Sequence, residues 1–176
     1  MSTSYPHRGY AGEDLARARA VFEHPLYQEE LGSLAELEAD RVWCRHDLAH
    51  VLDVARIAWI LNLEQGLGLA KDVVYAAALL HDIGRARQYR MGVPHHLASA
   101  ELARQILGTL DDERAFDDSE VARIARAVGD HRAGVLDDAL ARLIACADKL
   151  SRPCHSCPAA ATCNWPREKR NACLVI

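Results

Sequence analysis

The sequence contains few aromatic residues and no long uninterrupted apolar stretch. Of its 176 residues, 2 are phenylalanine, 3 are tryptophan and 5 are tyrosine. No apolar run reaches the roughly 20 residues that a membrane-spanning helix needs, so we expect no membrane partner. Residues 1–8 lack the apolar core of a secretory signal peptide. These absences favour a cytoplasmic protein.

An excess of positive charge is also absent. The chain has 21 Lys and Arg against 25 Asp and Glu, a formal net charge of −4. Proteins that bind nucleic acids through phosphates usually present a basic face, so the composition predicts no nucleic-acid partner. A chain of this length is typical of one domain with a substantial core. Nothing in the composition specifies an oligomeric state.

The apolar pattern predicts an all-α fold. Half of the residues are apolar, and most glycines and prolines lie between the periodic runs. Apolar residues spaced by three and four predict helices over about 12–23, 25–41, 45–65, 73–82, 95–107, 119–131 and 137–148. Gly32 is expected to weaken or split the second helix. We predict a short basic segment over 84–92 and a core position for Cys146.

Several of the predicted helices place a histidine or aspartate at the end of an apolar stripe. The clearest pair is His81-Asp82, which follows the apolar stretch 73–80. Burial of an imidazole and a carboxylate is costly without partners, and a metal ion binds both directly. Helical bundles commonly hold such sites between facing helices. The candidate ligands are His50, His81, Asp82, His95 or His96, His131 and Asp148.

Three short segments that contain these candidate ligands occur in an order that resembles the HD-domain superfamily of metal-dependent phosphohydrolases. They are His50 followed by Val54-Ala55, the stretch Ala-Leu-Leu-His-Asp-Ile-Gly-Arg at 78–85, and Ala-Cys-Ala-Asp-Lys-Leu at 145–150. The resemblance implies a single-domain, HD-type helical bundle with the metal site between core helices. It divides the chain into N-terminal helices at 1–43, the HD domain at 44–152 and a cysteine-containing tail at 153–176 that packs on the same domain.

Two further segments resemble the extra histidine segments of two-metal HD proteins. They are His95 with Ser99 four residues later, and Asp130-His131-Arg132. The resemblance then implies two divalent transition metals, Fe, Mn or similar, with Asp82 as the bridging and catalytic carboxylate. The doubled histidine leaves His96 as the alternative to His95. His46, four residues before His50, is expected to support the ligands from behind or to lie at the surface.

The function implied by the resemblance is hydrolysis of a nucleotide or other small phosphoester by a metal-activated hydroxide. Cations next to the ligands would bind the substrate phosphate, and we expect Arg85, Lys149 and Arg132 to do so. Two alternatives share the same ligand set. One is an HD-type diiron oxygenase, and the other is a non-catalytic module that senses a nucleotide.

The cysteines form a second pattern. Cys154, Cys157 and Cys163 are spaced as soft-metal ligands, with Cys44 or Cys173 as a fourth. The proteins that this chain resembles carry a cysteine at the position of Cys44, which favours that residue. The pattern predicts a second metal site that holds Zn or an iron–sulfur cluster, against the alternative of free thiols or a disulfide.

Overall fold

The computed structural model describes residues 15–133 and 136–174, and every regular element in these ranges is helical. The elements are α1 (Ala16–Glu23), α2 (Pro25–Leu37), α3 (Leu48–Glu64), α4 (Lys71–Leu80), α5 (Arg85–Met91), α6 (His95–Leu107), α7 (Asp118–Asp130), α8 (Ala139–Leu150) and two short 3₁₀ helices, Cys154–Ser156 and Arg167–Lys169. The predicted all-α fold is confirmed. The predicted start of the first helix, at 12–14, lies outside the described residues. Within the described part, no helix is both long and apolar enough to cross a bilayer.

Aspartates fix where three of the core helices begin. The side chain of Asp47 accepts a hydrogen bond from the backbone N–H of His50, and Asp138 accepts from Leu140 at the start of α8. Asp117 and Glu120 form a reciprocal capping box at the start of α7. Such caps satisfy backbone donors that have no partner inside the helix. Because Asp47 is a cap, α3 begins at Leu48 and not at the predicted residue 45.

Helix α4 forms the centre of the core. Each of its residues 73–80 except Tyr75 is buried, and the helix contacts α1, α3, α6, α7 and α8. Its apolar character on nearly all sides is the pattern of a fully buried helix. The turn that follows α4 therefore lies inside the protein, and this turn carries His81 and Asp82.

Three local features differ from what the sequence suggested. Residues 85–91 form helix α5, which ends at Gly92 with a φ of 72°, a left-handed conformation that suits glycine. Gly32 does not split α2, because the buried side chains of Tyr27 and Leu34 hold the helix against the core on both sides of it. Cys146 is exposed and not a core residue, because α8 turns Leu143, Ile144 and Ala147 inward instead.

The segment after α8 lies against the end of that helix. The side-chain amide of Asn171 donates to the carbonyl oxygens of Lys149, at 2.8 Å, and Arg152, at 2.7 Å. The indole N–H of Trp43, from the segment between α2 and α3, donates to the carbonyl oxygen of Thr162 at 3.2 Å. The cysteine-containing segment is thus held between the start of α3 and the end of α8.

Candidate metal centre

The two carboxylate oxygens of Asp82 face two different groups of histidines. Oδ2 lies 3.2 Å from Nε2 of His81 and 3.8 Å from Nε2 of His50. Oδ1 lies 3.3 Å from Nε2 of His95 and 4.0 Å from Nε2 of His131. Asp82 is only 2% exposed, so water does not surround either oxygen. One carboxylate is therefore shared between two clusters of nitrogen and oxygen atoms.

The first cluster unites residues from α3, α8 and the turn after α4. Its potential ligand atoms all lie within 4.8 Å of one another, and they belong to His50, His81, Asp82 and Asp148. Nε2 of His50 lies 3.5 Å from Oδ1 of Asp148. Atoms that ligate one ion at about 2.0–2.2 Å are separated by roughly these distances.

The second cluster uses the ends of two other helices. His95 is the first residue of α6, and His131 follows the last residue of α7. Together with Asp82 they form a group that meets the same 4.8 Å limit. His96 belongs to neither group; its ring stands against the ring of His95 with centroids 5.8 Å apart. The structure thus brings His95, and not His96, to the shared carboxylate.

Hydrogen bonds on the far side of three imidazole rings fix which nitrogen faces the centre. Nδ1 of His81 lies 2.7 Å from the carbonyl oxygen of Ala78, and Nδ1 of His131 lies 2.7 Å from that of Val128. Nδ1 of His95 lies 2.8 Å from Oε1 of Gln88. Since an amide or peptide oxygen only accepts, each Nδ1 donates. In a neutral ring the lone pair on Nε2 then points to the cluster, as in histidine ligands of metals.

Several polar atoms in the centre are buried without a hydrogen-bond partner. They are Nε2 of His81, Nε2 of His95 and both carboxylate oxygens of Asp82, of which Oδ1 also forms an ion pair with Arg85. Each such atom costs about 1–3 kcal/mol when it is left unsatisfied. A divalent transition metal would satisfy imidazole nitrogens and carboxylate oxygens together. The donor set therefore fits a metal ion in each cluster.

In the second cluster the protonation states are those that metal ligands require. Burial, reinforced by Arg85, lowers the pKa of His95 to about 3. Burial and the neighbouring His81 lower the pKa of His131 to about 4. For Asp82 burial opposes ionisation, but the charges of His81 and Arg85 outweigh it and hold its pKa well below the usual range. At neutral pH the second cluster therefore contains neutral imidazoles and an ionised carboxylate.

The carboxylates of the first cluster favour positive charge on the groups beside them. Burial disfavours an imidazolium at His81, but the carboxylates of Asp82 and Asp148 outweigh burial and raise the pKa of His81. Burial of Asp148 is likewise outweighed by its histidine neighbours and Lys149, which lower its pKa far below the usual range. Two ionised carboxylates face each other in a buried space, and a cation between them would relieve their repulsion.

Arg152 completes the surroundings of the first cluster, and the sequence patterns did not reveal it. Its Nη2 lies 2.9 Å from Nε2 of His50 and 3.1 Å from Oδ1 of Asp148, and its Nη1 donates to the carbonyl oxygen of Arg45. The residue is 5% exposed. The one signal in the sequence was its position four residues after Asp148, a spacing that pairs side chains on a helix.

His46 pairs with Glu38, which the sequence patterns did not reveal, and both side chains are buried. Oε1 of Glu38 lies 2.7 Å from Nδ1 of His46, and Oε2 accepts from the His46 backbone N–H at 2.8 Å. The hydroxyl of Tyr89 also donates to Glu38. Nε2 of His46 faces Asp82 Oδ2 at 3.9 Å. His46 is thus buried behind the first cluster and belongs to neither group of potential ligands.

The three predicted phosphate-binding cations differ in position. Nε of Arg85 lies 2.9 Å from Oδ1 of Asp82, with 16% of the side chain exposed. The ammonium of Lys149 contacts Oδ2 of Asp148, and 49% of its side chain is exposed. Arg132, next to His131, is exposed. Arg85 and Lys149 therefore lie beside different clusters and reach solvent, as substrate-binding cations must.

Comparison with known proteins identifies the family. The HD domain profile matches residues 47–152. An uncharacterized protein of Clostridium beijerinckii is 42% identical over 136 residues, which cover 77% of this chain and 83% of that protein. Ribonuclease Y of Thermoanaerobacter pseudethanolicus is 29% identical over 157 residues, and the chain spans only 30% of its length.

A solved structure shows the same fold. The crystal structure of a predicted HD superfamily hydrolase from an uncultured Thermotogales bacterium superposes with a TM-score of 0.58. It is 26% identical, and the match covers 81% of this chain and 80% of that one. The matched range 47–152 includes both histidine clusters and exceeds half of the sequence. The chain belongs to the HD domain family.

Proposed function

We propose that the protein is a metal-dependent phosphohydrolase that acts on a nucleotide or another small phosphoester. The observation that carries this proposal is the division of the Asp82 carboxylate between two buried clusters, each with one imidazole Nε2 that has no hydrogen-bond partner. The proposed ligands are His50, His81, Asp82 and Asp148 for one divalent transition metal, and Asp82, His95 and His131 for the other. Iron and manganese both suit this mixture of nitrogen and oxygen ligands.

The metals and the protein would have separate tasks. Divalent ions bound there would supply Lewis-acid chemistry, polarising a phosphoryl oxygen and making a water nucleophilic near neutral pH. The protein holds its ligand side chains rigidly, because Ala78, Val128 and Gln88 anchor the imidazoles of His81, His131 and His95, respectively. Placement and charge neutralisation dominate catalysis of phosphoryl transfer, so a preformed set of ligands is the main protein contribution.

The charges around the centre favour an anionic substrate. Arg85 and Lys149 lie on different sides of the two clusters and retain exposed surface. A phosphate that reaches the clusters would meet both cations, with exposed Arg132 beside His131 as a third. At partly buried positions such contacts are stronger than they are in water. We propose that these residues bind the phosphoryl group of the substrate.

The similarity to Ribonuclease Y gives a second candidate substrate, RNA. The chain spans only 30% of one such enzyme, and its net charge of −4 does not favour a long nucleic acid. RNA and small phosphodiesters share the same scissile bond. Short RNA therefore belongs in the same test as the small phosphoesters.

The test is hydrolysis by the purified, metal-loaded protein. The panel contains phosphomonoesters, phosphodiesters, dinucleoside polyphosphates and a short RNA, with phosphate or nucleotide release as the readout. We expect turnover of at least one small substrate and its loss in His81→Ala. If no substrate is turned over, or if His81→Ala turns over at the same rate, the proposal is wrong. Metal-dependent oxygen consumption would instead support an oxygenase, and nucleotide-dependent thermal stabilisation without product would support a sensing module.

The neighbouring histidines 95 and 96 provide a matched pair for metal counting. We expect His95→Ala to lower the bound metal by about one ion per chain, because it removes one of the three ligands of the second cluster. His96→Ala should retain both ions, since His96 belongs to neither group. Metal analysis of the two purified variants beside the unmodified protein measures this difference. Equal metal content in both variants would contradict the assignment of His95.

The Glu38–His46 pair should affect the rate more than the metal content. We expect His46→Gln or Glu38→Gln to lower kcat by about 10- to 100-fold, the usual cost of removing groups that support ligands. The physical reason is that the pair holds an imidazole 3.9 Å from the shared carboxylate. Tyr89→Phe, which removes one hydrogen bond to Glu38 but leaves the pair, should have a smaller effect. A rate unchanged in all three variants would show that the pair is purely structural.

A further inference from the structure

The six cysteines divide into two classes in the structure. Cys44, Cys154, Cys157 and Cys163 are partly buried, whereas Cys146 and Cys173 are exposed. All six are free thiols. The partly buried class combines one cysteine just before α3 with three from the segment after α8. Residues more than a hundred positions apart in the sequence are thus placed in the same environment.

The fold brings the four thiols of this class together. Cys44, Cys154 and Cys157 line one cavity of about 340 Å³. Trp43, the residue before Cys44, donates from its indole N–H to the carbonyl oxygen of Thr162, the residue before Cys163. The four cysteines therefore lie in one region of the fold. We call these four residues the thiol cluster.

Hydrogen bonds to the backbone hold the two segments of the thiol cluster in place. Arg41 donates to the carbonyl oxygen of Cys44 at 2.8 Å. Arg170 donates to the carbonyl oxygen of Cys163 at 2.7 Å and to that of Ala160 at 3.0 Å. The hydrogen bond between Trp43 and Thr162 joins the segments directly. These contacts preorganise the cysteines although the segments contain little regular structure.

We propose that the thiol cluster binds an iron–sulfur cluster, separate from the His and Asp centre. Cys154, Cys157 and Cys163 follow a Cys-x2-Cys-x5-Cys pattern, and Cys44 supplies the fourth thiolate. Four cysteine thiolates are the usual ligands of iron–sulfur clusters. None of the four cysteines belongs to either group of potential ligands in the His and Asp centre.

The separation of the sulfur atoms distinguishes an iron–sulfur cluster from a single zinc ion. Zinc–sulfur bonds of about 2.3 Å in a tetrahedral site would draw all four sulfurs to within roughly 4 Å of each other. No three of the described cysteines have sulfur atoms that all lie within 4.8 Å of one another. A cluster of several irons holds its thiolates farther apart, because each thiolate binds a different iron. This spacing of the sulfur atoms therefore favours an iron–sulfur cluster over a single zinc ion.

The thiol cluster also adjoins the first histidine cluster. His50 and Arg152 line the same cavity as Cys44 and Cys154, and Cys154 follows Arg152 by two residues. Arg152 in turn donates to Arg45, the residue after Cys44. A group bound by the four thiolates would therefore fix the loop that positions Arg152 against His50 and Asp148.

Anaerobic purification followed by assay of acid-labile sulfide tests the proposal, because sulfide is found in iron–sulfur clusters and not in the His and Asp centre. We expect labile sulfide and a visible absorption that dithionite bleaches in the unmodified protein. Both signals should persist in His81→Ala, which removes a ligand of the other centre. The failure of hydrolysis and the failure of this proposal are thus measured separately.

Cysteine variants locate the ligands. Cys157→Ser and Cys44→Ser should lose most of the labile sulfide, while Cys146→Ser and Cys173→Ser, which alter the two exposed thiols, should retain it. Unmodified protein that contains no labile sulfide, or contains one zinc per chain at the thiols, would overturn the proposal even if the Cys44 and Cys157 variants fail to fold. Retention of sulfide in Cys44→Ser with loss in Cys173→Ser would also overturn the assignment of Cys44.

Discussion

An Asp82→Asn variant is expected to lose phosphoester hydrolysis by about 10³-fold or more, since the loss of several kcal/mol of transition-state stabilisation by metals has that consequence. The substitution keeps the size of the side chain but removes the negative charge that both clusters share. An amide could ligate through only one oxygen, so the two clusters would no longer be joined. Bound metal should fall together with the rate. Metal analysis and kcat on the best substrate of the panel measure both effects.

A matched control separates this effect from the general loss of an aspartate. Asp53 lies on α3 with 54% of its side chain exposed, and its only described ion pair is a 3.4 Å contact with Arg56. Asp53→Asn should retain metal content and rate within about twofold, as surface substitutions usually do. If Asp82→Asn retained both metals and full activity, the bridging role of Asp82 would be wrong.

The physics of the centre explains why this residue should dominate. Asp82 is almost fully buried, yet His81 and Arg85 keep it ionised. The Nε2 atoms of His81 and His95 lie beside its two oxygens and have no hydrogen-bond partner. A buried carboxylate is costly unless it is paired. In this protein the buried carboxylate lies where two metal ions would offset that cost. Such an arrangement is characteristic of a functional site.

The sequence predicted the parts of the centre that depend on short segments. His50, His81-Asp82 and Asp148 each stand in a short sequence segment with recognisable neighbours, and the helical periodicity showed that they end apolar stripes. The structure places their ligand atoms in one group. The resemblance favoured His95, through Ser99 four residues later, but left His96 as an alternative. The structure separates the two, because adjacent residues of a helix differ in direction by about 100°.

The missed residues are those whose contacts depend on the path of an irregular segment. Glu38 reaches His46 across residues 39–47, which are not helical, and no periodicity describes such a path. Arg152 resembled an ordinary charge at the end of a helix, and its burial against His50 follows from how α3 packs on α8. The sequence also did not indicate that the turn after α4 packs against α6.

That packing leads to the prediction with the largest expected effect on stability, in which Gly84→Ala destabilises the protein by about 3 kcal/mol or more. Gly84 lies two residues after Asp82 and has a φ of −77°, which alanine adopts freely. The obstacle is steric. A Cβ atom there would lie 2.4 Å from the backbone N of Ser99 and 2.7 Å from the carbonyl oxygen of His95. Backbone atoms of a helix cannot yield as the end of a flexible side chain can.

The same clash should weaken the second cluster. The backbone N–H of Gly84 donates to the hydroxyl of Ser99 at 2.8 Å, which ties the turn of Asp82 to the helix of His95. Relief of the clash requires that α6 move away from the turn, so Nε2 of His95 would leave its position 3.3 Å from Asp82. We therefore expect Gly84→Ala to lose metal from the second cluster before the first, in addition to its lower stability.

Gly32→Ala is the matched control, because a Cβ atom at Gly32 meets nothing within 4 Å and the residue lies in the middle of α2. Alanine is more favourable than glycine inside a helix, so this variant should be stabilised by about 0.5–1 kcal/mol. Denaturant unfolding of both variants measures the change in the free energy of unfolding. Changes of opposite sign exclude a general response to an added methyl group. Equal stability of the two variants would show that the turn after α4 and α6 are not in close contact. In that case the proposed effect of Gly84→Ala on the position of His95 would also be wrong.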